Sequence, residues 1–411
     1  MRKRQLVVAV AAVSAVLAGA IGATVAVAEP AAEARIDEKL VEQRLEALAD
    51  VTDAAVVAEV RAGDEVWTEA HGTRQDGGDE AAEPSDRARI ASVTKSMVTT
   101  VALQLVGERE LALDDSIHNL APGLLPYEDA ITIRQLLGHT AGVPDFFIDI
   151  YPSLGEGSPE DLDKNRLNEY TPAEIVETAT ERPLDFEPGS KYQYSNTGYY
   201  VIGLLIERLT GNTVEDEVEN RVLEPADMDD TYLPETDPTI DGDHLDAYVE
   251  IGKKPGDERI DTSAVSPTQF WAAGAAVSNP ADMNRLFRSM FDGTLLSEDL
   301  LDEARDFSEQ SKGEYGLGLQ ALPAECEAVD GGTAMGHTGG GLGHTTFSFH
   351  SPDGETQVSF TFATDPQGLP AEQNEKVYGA VVDLTLAGLC GDESAKVNGE
   401  PLEPLDNVTK P

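Results

Sequence analysis

The strand signals of this chain lie at its two ends. Near the N-terminus, AAVVAEVRAGDEVWTEAHG (Ala54–Gly72) holds two alternating runs around Ala62-Gly63-Asp64, the pattern of a hairpin. Near the C-terminus, MGHTGGGLGHTTFSFHSPDGETQVSFTFATD (Met335–Asp365) reads as strand, Ser-Pro-Asp-Gly turn, strand. Helical spacing flanks both, with apolar residues at Ile36, Leu40, Val41, Leu45 and Leu48 and an amphipathic run from Ala371 to Leu389. From Leu113 to about Thr262 the sequence is helical and loop-rich, and GYYVIGLLIERLTG (Gly198–Gly211) is an apolar helix stopped by glycine. Strands so far apart pair only in one sheet that both ends join. The expected fold class is therefore α+β, an antiparallel sheet flanked by helices with an inserted mostly helical subdomain. The α/β part takes in about 36–112 and 263–391, and the helical part about 113–262. Tyr151–Tyr170 and Pro234–Pro267 read as long polar loops.

The termini are set apart from this domain, which is expected over 29–391. Met1–Arg4 is basic, Leu6–Val27 is almost wholly small or aliphatic, and Ala26-Val27-Ala28 precedes Glu29-Pro30. Residues 1–28 read as a secretory signal peptide, which places the mature protein outside the cell or at its wall. The competing reading is an uncleaved anchor, since the apolar stretch is long enough to span a bilayer. Residues 392–411 form a polar tail with nothing to bury, expected to be disordered. Cys326 and Cys390 are the only cysteines, and in an oxidising exterior such a pair becomes one disulfide. None of the seven histidines sits in an H-E-x-x-H arrangement, so no metal or cofactor is expected. The 76 acids against 29 bases give a net charge of −47, a field that repels nucleic acid and anionic membranes. Its plain meaning is solubility, carried furthest in salt-adapted proteins.

RIASVTKSMVTTVALQLV (Arg89–Val106) reads as a buried helix that begins near Ser92 and carries a lysine one turn later. Burying an ammonium costs several kcal/mol (roughly) unless a partner offsets it, so Lys95 lies on an exposed edge or in a polar pocket. Residues three apart share a helix face, so Ser92 Oγ and Lys95 Nζ can meet. A serine hydroxyl is a poor nucleophile until a base takes its proton. If Ser92 opens the helix, its own N–H is free to hold an oxyanion. S-x-x-K alone also describes a capping serine followed by a surface lysine. Two further pieces favour chemistry. Tyr194-Ser195-Asn196 lies between a Pro-Gly turn and a helix, where a nearby ammonium would lower the phenol pKa from about 10 and Asn196 could orient Lys95 or hold a substrate carbonyl. His337-Thr338-Gly339 is expected at the head of a strand, followed by glycines that leave its edge bare for a peptide-like substrate, with the Gly340 N–H available to an oxyanion.

Each motif is degenerate, but S-V-T-K, Y-S-N and H-T-G in this order and separation are specific. The chain resembles the penicillin-recognising serine hydrolases: D-alanyl-D-alanine carboxypeptidases of the secreted Streptomyces type, class C β-lactamases and related esterases. Further matching stretches are IRQLLGHTAGVPDF, FEPGSKYQYSNTGYYVIGLLIERLTG, WAAGAAVSNPADM and YGLGL, and together they cover roughly 36–391. The resemblance implies an acyl-enzyme on Ser92, proton shuttling by Tyr194 and Lys95, and an oxyanion hole from the Ser92 and Gly340 amides. It implies substrate contacts from Asn196, His337, Thr338, Gly339, Gln320, Phe270 and Trp271, and leaves His139 of GHTAG as a structural loop residue.

One departure bears on the substrate. In the Streptomyces-type carboxypeptidases an arginine after the Gly-Leu-Gly-Leu stretch reads the terminal carboxylate; here Gln320 follows Gly316–Leu319. Those enzymes also have Thr after H-T-G, where this chain has Gly340. A glutamine cannot make arginine's charge-assisted pair. The expected function is a secreted, monomeric serine hydrolase, a D-alanyl-D-alanine carboxypeptidase or D-peptidase. Its expected partners are a D-amino-acid peptide, ester or β-lactam, with peptidoglycan as a further partner. The alternatives are an esterase or β-lactamase on the same machinery, and a non-catalytic wall-binding module.

Overall fold

A computed structural model describes residues 36–127, 131–155, 160–251, 253–256 and 258–391. The expected signal peptide and polar tail lie outside these residues.

The N-terminal hairpin forms as β1 (Val56–Ala62) and β2 (Glu65–His71). Two separate two-stranded sheets also form, β3 (Ala88–Arg89) with β6 (Val277–Ser278) and β4 (Tyr248–Glu250) with β5 (Arg259–Asp261). The main sheet of the described residues has the order β2-β1-β10-β9-β8-β7, with every pair antiparallel. Here β7 is Gln320–Pro323, β8 Thr333–Gly341, β9 His344–His350 and β10 Thr356–Phe362. The two chain ends meet where Val56 faces Phe362 and Ala62 faces Thr356. The sheet is the antiparallel one expected from strands at both ends.

The C-terminal segment holds three strands rather than two. The glycines Gly339–Gly341 continue β8, and the reversal falls on Leu342-Gly343, whose φ values of 42° and 111° suit a two-residue hairpin turn. The edge strand β7 was not expected either. The polar stretches also carry structure: Tyr151 is fully buried against Phe147 with its hydroxyl bonded to Gln269, and β4 and β5 lie inside the second stretch.

The principal helices are α1 (Glu38–Thr52), α2 (Thr94–Glu108), α3 (Ile133–Leu137), α4 (Pro172–Thr180), α5 (Asn196–Thr210), α6 (Pro280–Phe291) and α7 (Ala371–Cys390). One sheet face packs on α1 and α7 through Val56, Ala58, Val60, Phe347, Phe349, Val358, Phe360 and Phe362. Strand alternation turns their neighbours the other way. That face is polar yet buried: Ser348 bonds Ser359 at 2.7 Å, Thr346 bonds Thr361 at 3.0 Å, and Asn284 of α6 bonds Glu59 and Ser359. Helices α2 and α5 are apolar over most of their surface because the helical part encloses them in the larger core. Cys326, in the β7–β8 connection, is bonded to Cys390 at the end of α7.

Candidate active site

Ser92 lies in a 3₁₀ turn, Ala91–Val93, that leads directly into α2. The turn begins on strained backbone, with Ala91 at φ 46°. β8 runs close alongside it. A Cβ on Gly339 would stand 2.1 Å from the Ile90 carbonyl oxygen, so only glycine lets the strand approach Ser92 this closely.

Lys95 is in a polar pocket and not on an exposed edge; its side chain is fully buried. Its Nζ lies 2.9 Å from Ser92 Oγ, 2.8 Å from Asn196 Oδ1 and 2.6 Å from the Ala273 carbonyl oxygen. The latter two oxygens only accept hydrogen bonds. A neutral amine therefore spends both N–H bonds on them and presents its lone pair to the Ser92 hydroxyl. Burial pushes Lys95 down to about 7, against the opposing pull of the Asp145 carboxylate, so the neutral form is populated near neutral pH.

Tyr194 is buried, and its hydroxyl lies beside the Ser92 side chain. Its ring lies 4.8 Å from Lys95 Nζ. The expected lowering of its pKa does not occur. Burial raises it well above 10, and the neighbouring Ser92 hydroxyl only partly opposes this. Tyr194 thus stays a protonated hydroxyl, while Lys95 is the group able to take a proton. His139 stacks on Tyr194 at 4.0 Å between ring centroids and accepts the Ser195 N–H, which agrees with a structural role.

β8 supplies the opposite wall. Its pairing with β7 ends at Gln320–Gly336, so the edge from His337 onward is bare, as expected. The Thr338 N–H points to this edge, donating to Gln320 Oε1 at 2.8 Å. Period two along a strand turns the Gly340 N–H to the same side, beyond the end of β7. Phe270 approaches the same stretch, within 3.9 Å of the Cβ position of Gly341.

Three of the expected substrate-contact residues are placed by their own partners in the fold. His337 is mid-strand rather than at the strand head, and fully buried; Nδ1 donates to the Thr338 carbonyl at 2.6 Å and Nε2 accepts from the Tyr315 hydroxyl at 2.9 Å. Burial, with Lys95 nearby, lowers its pKa to about 3, so the ring is neutral. Thr338 faces Phe347 in the register, which puts its side chain on the α1–α7 face; its backbone alone reaches the edge. Trp271 is buried, its indole N–H bonded to Glu215 at 2.9 Å and its ring near Tyr200. Its backbone, at φ 34°, starts the turn that carries the Ala273 carbonyl to Lys95.

Sequence reasoning missed Asp145, Ala273 and Tyr315. Asp145 accepts from the Asn196 N–H at 2.7 Å and Nδ2 at 2.9 Å, and from the Phe147 N–H at 2.8 Å. An acid set between Pro144 and two phenylalanines was its one signal.

Comparison with known proteins places this geometry. The family model described as Beta-lactamase matches residues 38–381. Esterase EstB of Burkholderia gladioli is 31% identical over 215 residues, 50% of this chain and 52% of that protein. Penicillin-binding protein 4* of Bacillus subtilis is 26% identical over 62% of this chain and 56% of its own length. The chain thus spans about half the length of these curated relatives. A D-stereospecific amidohydrolase from a Streptomyces species superposes with a TM-score of 0.72 at 29% identity, over 84% of this chain and 98% of that one. The family match runs through α1, the sheet, α2 and the Tyr194 loop alike, and the chain belongs to the β-lactamase family of serine hydrolases.

Proposed function

We propose that this protein hydrolyses D-amino-acid peptides and amides through an acyl-enzyme on Ser92. The observation that carries the reading is the Ser92 hydroxyl 2.9 Å from Lys95 Nζ, beside buried Tyr194 and opposite an open strand edge. Neutral Lys95 takes the Ser92 proton as Oγ bonds to the substrate carbonyl carbon. The Gly340 N–H, together with the Ser92 N–H at the start of its turn, holds the developing oxyanion. Tyr194 gives its proton to the departing nitrogen or oxygen and regains one from the Lys95 ammonium, which thereby returns to its neutral form. Water then attacks the ester with the same groups in reverse order, releasing the acid and restoring Ser92.

The D-peptide and amide substrate class is supported by the likeness to the D-stereospecific amidohydrolase. Gln320 and neutral His337 offer no positive charge to a free carboxylate, which favours amides and capped peptides over D-alanyl-D-alanine carboxypeptidase action. The signal-like N-terminus and the Cys326–Cys390 bond support secretion.

Intact-mass analysis after exposure to a penicillin, and again to a fluorophosphonate, tests the chemistry. An adduct on wild type and none on Ser92→Ala is expected. Hydrolysis of D-amino-acid amides above their L-forms is the expected preference. No adduct with either reagent and no turnover of amide, ester or D-peptide would leave a binding module.

A further inference from the structure

The geometry points to Asp145 as a positioning residue that fixes the direction in which Ser92 gives up its proton, acting through the side chain of Asn196. This rests on Lys95 as the base, and it concerns which way the Lys95 lone pair faces.

An asparagine amide can present either its oxygen or its NH₂ to a neighbour, and the two orientations have nearly the same shape. A lysine ammonium only donates and so pairs with the amide oxygen alone; a neutral lysine tolerates both orientations. The active form is the neutral one, so Lys95 cannot by itself keep Asn196 in place. Asp145 can. As a carboxylate it only accepts, and its Oδ2 takes both the Asn196 N–H at 2.7 Å and Nδ2 at 2.9 Å. Oδ1 is held by the Phe147 N–H at 2.8 Å, so the carboxylate does not rotate away. With Nδ2 committed to Asp145, Oδ1 must face Lys95, as it does at 2.8 Å. Ala273 takes the second N–H at 2.6 Å. The lone pair is then left for Ser92. If the amide turned over, Nδ2–H would donate to that lone pair and Ser92 would lose its base.

The carboxylate has an electrostatic effect of known sign. The titratable groups around Lys95 are Tyr194 and Tyr199 from the α5 side, His139 after α3, His337 of β8, and Asp145. The first four are uncharged at neutral pH, because burial raises the phenols and lowers the imidazoles. Burial also raises the Asp145 carboxyl above its usual range, but the hydrogen bonds from Asn196 and Phe147 oppose that rise, and as the carboxylate of this set it works against the burial that pushes Lys95 down. Arg182 donates to the Asp145 backbone carbonyl and pairs its charge with Asp149.

The test is the pH dependence of Ser92 acylation by a fluorophosphonate, followed by intact mass, in wild type, Asp145→Asn, Asn196→Ala and the double variant. Asp145→Asn should lower the plateau rate by about tenfold or more and move the acid limb to lower pH, because Lys95 loses its carboxylate. In the Asn196→Ala background the same change should still move the acid limb but lower the plateau little further. Rate and limb are read on whatever fraction is folded, so partial loss of stability does not hide them. An acid limb that stays put or moves up, or plateau losses that multiply in the double variant, would overturn the inference. The Ser92 reading would survive that result as long as Ser92→Ala takes no adduct.

Discussion

Gln320 Oε1 accepts the Thr338 N–H at 2.8 Å, so the first open position on the β8 edge is already taken by this chain's own side chain. The Thr338 carbonyl is likewise taken by His337 Nδ1. An extended substrate that pairs with this edge therefore meets its first free N–H and C=O at Gly340, next to Ser92. The glutamine brings an uncharged amide, and no cation, to this edge. A matched pair of D-peptides, one a free acid and one an amide, should show kcat/KM equal or better for the amide. His337 stays neutral down to a pKa of about 3, so this ratio should be flat between pH 6 and 8. Gln320→Arg should raise kcat/KM for the free acid by about tenfold or more, the usual worth of a charge-assisted bond. A strong free-acid preference in wild type would point to another cation.

The second prediction separates Lys95 from Tyr194. The base must be unprotonated to accept the Ser92 proton, and Lys95 sits at about 7. kcat/KM should therefore fall about tenfold per pH unit below that value and level off above it. Tyr194→Phe should lower the plateau by a factor of about 10²–10⁴ and keep the acid limb in place, since the phenol acts while protonated. A variant whose acid limb vanishes would make Tyr194 the base.

The chemistry was legible where it was local. Ser92 and Lys95 sit one turn apart, and Tyr194 and Asn196 share a three-residue motif, so spacing alone brings each pair near. What was not legible came from distant parts of the chain. Ala273 lies 178 positions from the lysine it contacts, and Asp145 is one of 76 acids with nothing in composition to single it out. The strand β7 is four residues long, and a glycine run inside β8 resembles a turn until Gly339 is seen to need its bare Cα against Ile90. The reversed pKa order of Tyr194 and Lys95 followed from burial, which a local motif does not report.

The third prediction concerns Cys326–Cys390, which joins positions 64 apart. Closing a loop of that length restricts the unfolded chain, so reduction should cost about 2–4 kcal/mol. Thiol titration of the denatured, unreduced protein should find no free thiol. Denaturant melts with and without reductant should differ in midpoint. Two titratable thiols, or coincident melts, would refute the bond or its contribution.

The last prediction is acid sensitivity from four buried histidines: His139, which is held well below its usual value, and His337, His344 and His350. Burial holds each of the latter three at about 3 in the folded protein, with Lys95 adding to the effect at His337 and Arg89 at His344. These three rings are also committed by hydrogen bonds, His344 to Arg89 N–H and the Leu245 carbonyl, and His350 to Ser348 and Gln357. In the unfolded chain a histidine titrates near about 6.5. Below that pH the unfolded state binds protons that the folded state refuses, so stability is lost as pH falls from about 6.5 toward 3. At pH 5 each of the three should cost about 2 kcal/mol. Acid also relieves the self-repulsion of a chain with a net charge of −47, which acts in the opposite direction. The decisive quantity is therefore the difference between wild type and His350→Gln in denaturant melts at pH 7.5, 6 and 5. The variant should lose less stability than wild type over that range, by about 2 kcal/mol at pH 5. Parallel pH dependences in the two proteins would mean that His350 accepts a proton in the folded state.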